Sequence, residues 1–135
     1  MSLTLRGRIF RSTSAIVAAR IEDPETAQFA QPGTPLLAEQ FSAIAYSVTD
    51  TLTQLPVDND GTLYSGLPLT PADVIFDTLQ PWPEDSRGYN FKLVVGPGAF
   101  PQSEREYSLE VNFALTDGRI GEAVFAISTE QVWSG

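Results

Sequence analysis

The strongest constraint on the fold is a stretch near the C-terminus in which apolar residues recur at every second position. The apolar residues of this stretch are Tyr107, Leu109, Val111, Phe113 and Leu115, and polar or small residues separate them. Asp117 and Gly118 follow, and Phe125 and Ile127 continue the pattern on a returning segment. A period of two places one set of side chains on one face of a strand, and Asp-Gly is typical of a hairpin turn. The sequence therefore predicts a β-hairpin that covers an apolar core.

Further segments predict strands by the same criterion. Tyr89, Phe91, Leu93 and Val95 alternate before a Gly-Pro-Gly turn, and Ile44, Tyr46 and Val48 share a face in FSAIAYSVTD. The segment Asp58-Asn59-Asp60-Gly61 predicts a turn that leads into a weak strand near Thr62 to Tyr64, because Asn, Asp and Gly tolerate left-handed backbone. Near the N-terminus, Leu3, Leu5 and Ile9 alternate with polar residues, and a second apolar run extends from Ala15 to Ile21. Both read as short strands.

One segment, LTPADVIFDTLQ, carries helix signals. Thr70 is suited to the N-cap, Pro71 to the first helical position, and Ile75 and Leu79 to one face. Pro81 and Pro83 on either side of Trp82 then end the helix. The pattern predicts a helix of about two turns.

Together these elements predict an all-β fold, an immunoglobulin-like two-sheet β-sandwich with one short helix in a connection and an N-terminal β-forming arm. The segment from Glu22 to Gln40 holds three prolines and no periodicity, which is typical of a connector. We therefore expect an N-terminal arm and connector over residues 1–38 and a β-sandwich domain over residues 39–135.

The absence of certain residue types excludes several function classes. The chain has no Cys and no His, which excludes disulfides, the usual zinc sites, thiol nucleophiles and imidazole bases. It has no Gly-rich phosphate loop, and Lys92 is its one lysine. No segment approaches the roughly 20 apolar residues that cross a bilayer. We expect no enzyme activity, no cofactor and no membrane insertion.

The charge is distributed unevenly. Residues 1–20 contain Arg6, Arg8, Arg11 and Arg20 and no acidic residue, whereas all 17 acidic residues follow them. An acidic body repels nucleic acid and anionic lipid, while a basic arm is attracted to an acidic face of another copy or another protein. The predicted partner-binding residues are Arg6, Arg8, Ile9, Phe10 and Arg11 in the arm and Trp133 near the C-terminus.

The carboxylates were weighed as catalytic or metal-binding groups. Asp58, Asn59 and Asp60 suggest a calcium loop, but the spacing departs from the EF-hand pattern and favours a hairpin turn. The acidic pairs are Glu22 with Asp23, Glu84 with Asp85, and Glu104 with Glu106. A glycosidase needs two acids across a cleft, whereas these pairs fall in predicted loops or strand starts. We expect no metal site and no catalytic residue.

Two aromatic residues are candidates for ligand stacking. Trp82 between two prolines, with nearby Tyr89, predicts either a platform for a sugar ring or a lid over the short helix.

Six segments in order along the body resemble a group of small proteins encoded by phages and prophages. The segments are YSVTDT, LTPADVIFDTLQ, GYNF, AFP, YSLEVNFALTDG and FAIST, and they span Phe41 to about Val132. Proteins of this group are similar to immunoglobulin-like modules of virions, found among head, decoration and tail components. The resemblance implies a structural role without catalytic residues. The resemblance does not extend to the basic arm.

The leading hypothesis is a phage virion structural protein, a capsid decoration or head-to-tail accessory subunit. Its expected partners are capsid or tail subunits and copies of itself, and its expected location is the virion, assembled in the host cytoplasm. The arm would add a strand to the edge of a neighbouring sheet. Deletion of residues 1–22 is then expected to leave a folded monomer that no longer assembles. The alternatives are a carbohydrate-binding sandwich that uses Trp82 and Tyr89 and, far behind it, a carboxylate-dependent hydrolase.

Overall fold

The structure is a computed structural model that describes residues 2–10, 15–23, 33–59, 61–81, 87–102 and 104–130. For residues 2–10, 97 and 130 it describes the backbone alone. The described residues are mostly β-strand, with one short α-helix and several antiparallel sheets. The prediction of an all-β chain is therefore confirmed. No helix in the described ranges is long and apolar enough to cross a membrane.

The strands follow the chain in this order: β1 Ser2–Phe10, β2 Ala15–Ala19, β3 Glu22–Asp23, β4 Thr34–Pro35, β5 Phe41–Asp50, β6 Leu55–Pro56, β7 Asp58–Asn59, β8 Thr62–Leu63, β9 Leu67–Leu69, β10 Ile75–Gln80, β11 Tyr89–Val95, β12 Glu106–Leu115 and β13 Ile120–Glu130. The helix α1 spans Pro71–Val74, and single 3-10 turns span Ala38–Gln40 and Pro97–Ala99. The predicted strands of the N-terminal segment, FSAIAYSVTD and the last third are therefore present.

The larger sheet is built around the predicted C-terminal hairpin. Its strands lie in the order β1-β13-β12-β5-β6, and β9 also pairs with β5. The hairpin of β12 and β13 turns at Asp117 and Gly118, and Gly118 has a φ of 93°. A left-handed φ of this kind is what the Asp-Gly signal predicts. β1 runs parallel to β13, with Ser2 opposite Glu122 and Phe10 opposite Glu130.

The second sheet has the order β10-β11-β2 and is antiparallel. Two further two-stranded ribbons join β3 with β4 and β7 with β8. The β7–β8 ribbon turns at the predicted site, where Gly61 has a φ of 82°.

One hydrophobic cluster receives side chains from both main sheets. The ring of Phe91 on β11 stacks against that of Phe125 on β13, with centroids 6.3 Å apart. The largest fully buried apolar or aromatic side chains are Tyr107, Phe91, Phe100, Leu36, Leu109, Val48, Val95 and Val111. Burial of such side chains contributes about 1.5–3 kcal/mol each, so this shared cluster is the main source of stability.

The helix prediction over LTPADVIFDTLQ is wrong beyond its first turn. α1 ends at Val74, and Ile75 starts β10, which pairs with β11 through Ile75 opposite Phe91 and Gln80 opposite Tyr89. Pro71 is at the start of the helix as predicted, but the Thr70 side chain makes no capping hydrogen bond. A two-turn helix is marginal on its own, and strand pairing with β11 overrides its local signals.

The N-terminal segment contributes to the core. Ala15, Val17 and Ala19 of β2 and Leu36 of the connector are buried, and all belong to the common cluster. The division of the chain into residues 1–38 and 39–135 remains a prediction, but β2 packs with the body. The expectation that deletion of residues 1–22 leaves a folded monomer is therefore corrected, because that deletion removes a core strand.

Candidate functional site

The predicted partner-binding residues of the arm lie on β1, at one edge of the larger sheet. In the parallel register with β13, Arg6 lies opposite Ala126, Arg8 opposite Ser128 and Ile9 opposite Thr129. Phe10 is opposite Glu130. Arg11 and Trp133 lie outside the described residues. The arm strand is thus attached to the body by main-chain pairing with β13.

The first strand of each main sheet forms an edge of that sheet. In the described ranges, β13 is the one neighbour of β1 and β11 is the one neighbour of β2. Four residues join β1 to β2, so five Cα–Cα steps allow at most about 18 Å between the strand ends. Phe91 on β11 stacks on Phe125 on β13, so the strands that pair with β2 and β1 face each other across the core. We call the two edge strands β1 and β2 together the N-terminal edge.

An exposed apolar pair lies beside the N-terminal edge. Ile16 on β2 is 66% exposed and Val94 on β11 is 56% exposed, and the two are directly opposite in the antiparallel register. Cross-strand neighbours of this kind have Cβ atoms about 5 Å apart. Their side chains face away from the core, because Val17 and Leu93 on the alternate positions are buried. The outer surface of the second sheet therefore presents a small hydrophobic patch next to an edge strand.

Ionic contacts fix the chain just after β2. The Arg20 Nε and an Arg87 Nη1 each donate to Glu22 Oε1 at 2.7 Å, and Arg20 Nη1 also donates to the Gly88 carbonyl at 3.0 Å. Burial raises the pKa of the Glu22 carboxyl, but the hydrogen bonds and charges of Arg20 and Arg87 outweigh it and hold the pKa below its usual range. These contacts tie the end of β2 to the start of β11.

A second ionic contact joins β3 to the C-terminal hairpin. Arg119 donates to both carboxylate oxygens of Asp23, at 2.7 and 3.1 Å, and its Nε donates to Asp117 Oδ2 at 2.8 Å. A two-pronged arginine–carboxylate pair is directional as well as attractive. It fixes the connector relative to the β12–β13 turn. Glu22 and Asp23, weighed as a catalytic pair from sequence, thus both bind arginines.

Replacement of Glu22 by glutamine is expected to make the free energy of unfolding fall less steeply as the pH is lowered into the acid range. A lowered folded-state pKa contributes stability above the unfolded value of about 4.5, and this contribution is lost as the pH falls through the lower folded value. The effect is less than about 1 kcal/mol, because the ion pairs are partly solvated. Urea unfolding between pH 3 and 7 measures it, with Glu39→Gln as a control for charge removal at an exposed site. An unchanged slope below pH 4.5 contradicts the expectation.

The residues proposed for ligand stacking are only partly described. Tyr89 is half-buried on β11, and its ring meets that of Phe76 edge to face with centroids 5.8 Å apart. Trp82 lies outside the described residues. Carbohydrate binding by Trp82 and Tyr89 therefore stays a prediction. No cluster of three or more acidic side chains that could hold a metal ion occurs among the described residues.

Two buried polar residues were missed from the sequence. Asn90 is fully buried, and its side chain bonds to the backbone of Ile21 and Leu36. Thr129 is also buried, and its hydroxyl accepts from the Arg105 N–H at 3.0 Å and donates to the Gln102 carbonyl at 2.6 Å. The alternating apolar pattern of this strand predicts that Asn90 lies on the outer face, where polar residues are common. The available signal was an asparagine between the aromatic residues Tyr89 and Phe91, since buried amides bind backbone groups.

Protein-family models, curated proteins and solved structures were compared with the chain, and none of them matches it. The candidate site is accordingly defined by its geometry. It consists of the N-terminal edge together with the exposed pair Ile16 and Val94.

Proposed function

We propose that the chain is a non-enzymatic structural protein of a phage virion, a capsid decoration or head-to-tail accessory subunit. It assembles through its N-terminal strand and its sheet edges. The observation that carries this proposal is the N-terminal edge, where β1 and β2 each have a single neighbouring strand in the described ranges. Unpaired strand edges are templates for pairing with another chain.

The fold that fits this role is an immunoglobulin-like two-sheet sandwich. In such domains the third, sixth and seventh strands form one sheet, and the second, fifth and fourth form the other. Here β5, β12 and β13 are neighbours in one sheet, and β2, β11 and β10 are neighbours in the other. The correspondence of strand order and of a shared core supports the assignment.

The surroundings of Tyr107 support the same fold. Tyr107 is near the start of β12, its hydroxyl bonds to the backbone five residues upstream, and its ring packs edge to face on Phe100 at 5.5 Å. Many immunoglobulin-like domains have a tyrosine in this position, two residues before a core cysteine. In this chain Leu109 takes the place of the cysteine and is fully buried. An apolar contact there replaces the disulfide.

The partners that suit this protein are capsid or tail subunits and further copies of itself. The basic residues of the first twenty precede a remainder of the chain that holds all 17 acidic residues, so these two parts attract one another between subunits. Each such contact is weak when exposed. Repetition over a symmetric particle multiplies weak contacts through effective concentration. The virion, assembled in the host cytoplasm, is the proposed location.

Removal of residues 2–10 is expected to abolish attachment to the particle. The full chain and the truncated variant are each mixed with purified shells and tails of the phage that encodes the chain, and the bound fraction is measured after sedimentation. We expect the full chain to pellet with the particles and the truncated variant to lose at least about tenfold in affinity, which corresponds to about 1.4 kcal/mol. β2 is retained, so the core strand stays in place.

Two controls accompany the truncation. Leu52→Ser changes an exposed residue of the turn between β5 and β6 and is expected to bind like the full chain. The double variant Arg6→Glu with Arg8→Glu keeps the length of β1 and tests the charge of the arm separately, in case the truncated chain unfolds. A full chain that binds no particle component, or a folded truncated chain that binds equally well, contradicts the proposal.

A further inference from the structure

We propose that β2 pairs with β2 of a second copy of the chain, antiparallel and centred on Val17, so that two three-stranded sheets become one. This rests on the proposed function insofar as it names one contact by which copies assemble. It concerns β2 alone, and contact with another virion protein through β1 is a separate event.

Among the described residues, β2 has a strand on one side only. The ladder with β11 runs through five consecutive pairs, from Ala15 opposite Val95 to Ala19 opposite Phe91, without a register shift. No other strand in the described ranges lies beside β2, and the backbone of Ala15–Ala19 makes no hydrogen bond outside this ladder. In a strand with one neighbour, about half of the N–H and C=O groups point outward and can form a second ladder.

The other edges carry features that oppose strand pairing. The edge strands β6 and β9 contain Pro56 and Pro68, β10 has a register shift, and β1 carries Arg6 and Arg8, which repel a second β1 but attract an acidic partner. Proline, bulges and charged residues are the usual means by which proteins protect an edge. β2 has the sequence AIVAA, with no charge, proline or glycine. Among the described edge strands of the two main sheets it is the one without such protection.

The sequence of β2 is complementary to itself in the proposed register. Centring on Val17 sets Ile16 opposite Ala18 of the second copy and Ala15 opposite Ala19 of the second copy. The large side chain of Ile16 then meets the small Ala18, and no like charges meet. Two-fold pairing uses the same surface on both subunits, which is the commonest way in which a protein forms a dimer.

The exposed apolar pair becomes part of a longer row in this dimer. Across the joined sheet the outer row reads Val94, Ile16, then Ala18 and Lys92 of the second copy, because Lys92 is opposite Ala18 within each chain. Ile16, exposed by 66% in the single chain, is then covered by its neighbours and by the aliphatic part of Lys92. This row provides the apolar contact that a pure backbone ladder lacks. It also favours a second copy over an unrelated extended segment.

Sedimentation velocity over a range of concentrations tests the proposal on the purified full chain. We expect a monomer–dimer equilibrium whose dissociation constant rises about tenfold or more in Ile16→Lys, because the new ammonium lies near Lys92 of the second copy. Adding Lys92→Glu to Ile16→Lys is expected to restore dimerisation through the opposite charge. Ile120→Lys, at the 78% exposed start of β13, is the control and is expected to dimerise like the unaltered chain.

A cysteine cross-link tests the register. The chain has no cysteine, so Val17→Cys introduces a single thiol whose two copies face each other in the proposed dimer. Directly opposite residues of antiparallel strands are within the Cα separation that a disulfide spans. We expect oxidation to yield covalent dimers of Val17→Cys and few of Ile120→Cys.

The outcomes separate this inference from the proposed function. A chain that stays monomeric at every concentration, or a dimer that is insensitive to Ile16→Lys and gives no cross-link at position 17, overturns the pairing through β2. Either result leaves particle binding to be judged by the truncation of residues 2–10. Conversely, a β2-linked dimer that binds no shell or tail supports the pairing and contradicts the virion role. Binding of a shell peptide at β2 in place of a second copy also overturns the inference.

Discussion

Replacement of Asn90 by leucine is expected to lower the free energy of unfolding by about 3 kcal/mol, the cost of leaving two buried backbone groups without partners. The Asn90 Oδ1 accepts from the Ile21 N–H at 2.6 Å, and its Nδ2 donates to the carbonyls of Ile21 and Leu36 at 2.9 and 3.0 Å. Leucine has a similar volume but offers none of these bonds. The Ile21 carbonyl keeps a bond from the Leu36 N–H, whereas the Ile21 N–H and the Leu36 carbonyl lose Asn90.

The position of Asn90 explains why the effect extends beyond one strand. Its amide joins β11 to the end of the β2 segment and to the connector at Leu36, which are 69 and 54 residues away in the chain. These are the segments that bring the N-terminal part of the chain into the core. Without the amide, Leu36 and β2 are held by apolar packing, the β11 ladder, the Leu36–Ile21 backbone bond and the ion pairs at Glu22. Loosening of β2 therefore accompanies the loss of stability.

Urea unfolding of Asn90→Leu against the unaltered chain measures this effect, since a shift of midpoint at constant slope reports stability. Asn112→Leu is the matched control, because Asn112 is exposed on β12 and the same substitution is expected to change stability by less than about 0.5 kcal/mol there. If the two variants unfold at the same urea concentration, the amide of Asn90 is not what anchors the N-terminal segment.

The strands that were predicted correctly are specified by residues that lie close together in the sequence. β12 and β13 are neighbours joined by Asp117 and Gly118, so alternation and turn chemistry agree on the hairpin. The same holds for β5, whose Ile44 and Val48 are buried as its pattern predicts. Local consistency of this kind is what makes an element predictable from sequence.

The elements that were mispredicted depend on distant partners. Ile75–Gln80 has helix signals on its N-terminal side, yet it forms a strand because it pairs with β11, where Ile75 lies opposite Phe91. Leu36 lies in a segment that its prolines mark as a connector, yet it is fully buried. Local propensity is a weak guide wherever tertiary pairing supplies the larger energy.

The candidate site was predictable only in part for the same reason. The basic arm and its strand character were visible in the sequence, and the structure adds that β1 pairs with β13. That β2 is an open edge follows from its having β11 as a neighbour and none beyond it in the described ranges, which no local pattern encodes. Ile16 and Val94 are 78 positions apart in the numbering of the chain, and only the register of β2 with β11 brings them together.

Replacement of Gly88 by alanine is expected to destabilise the chain by about 3 kcal/mol or more, for two separate reasons. Gly88 has a φ of 104°, a backbone conformation that costs an alanine about 1–2 kcal/mol. A Cβ at this position would also lie 2.2 Å from the Gln80 carbonyl oxygen, which is backbone and cannot rotate away. Gly88 precedes β11 where Tyr89 pairs with Gln80, so relief of the clash separates β10 from β11.

Gly118→Ala separates these two contributions, because Gly118 has a similar φ of 93° and open space where the Cβ would be. It is expected to lose only the conformational part, about 1–2 kcal/mol, so urea unfolding should give a difference of about 2 kcal/mol between the two alanine variants. The excess measures how tightly the start of β11 packs on the end of β10. If the two variants lose the same free energy of unfolding, β10 moves away from the added Cβ without an energetic penalty. The close approach at Gly88 then does not hold the second sheet together.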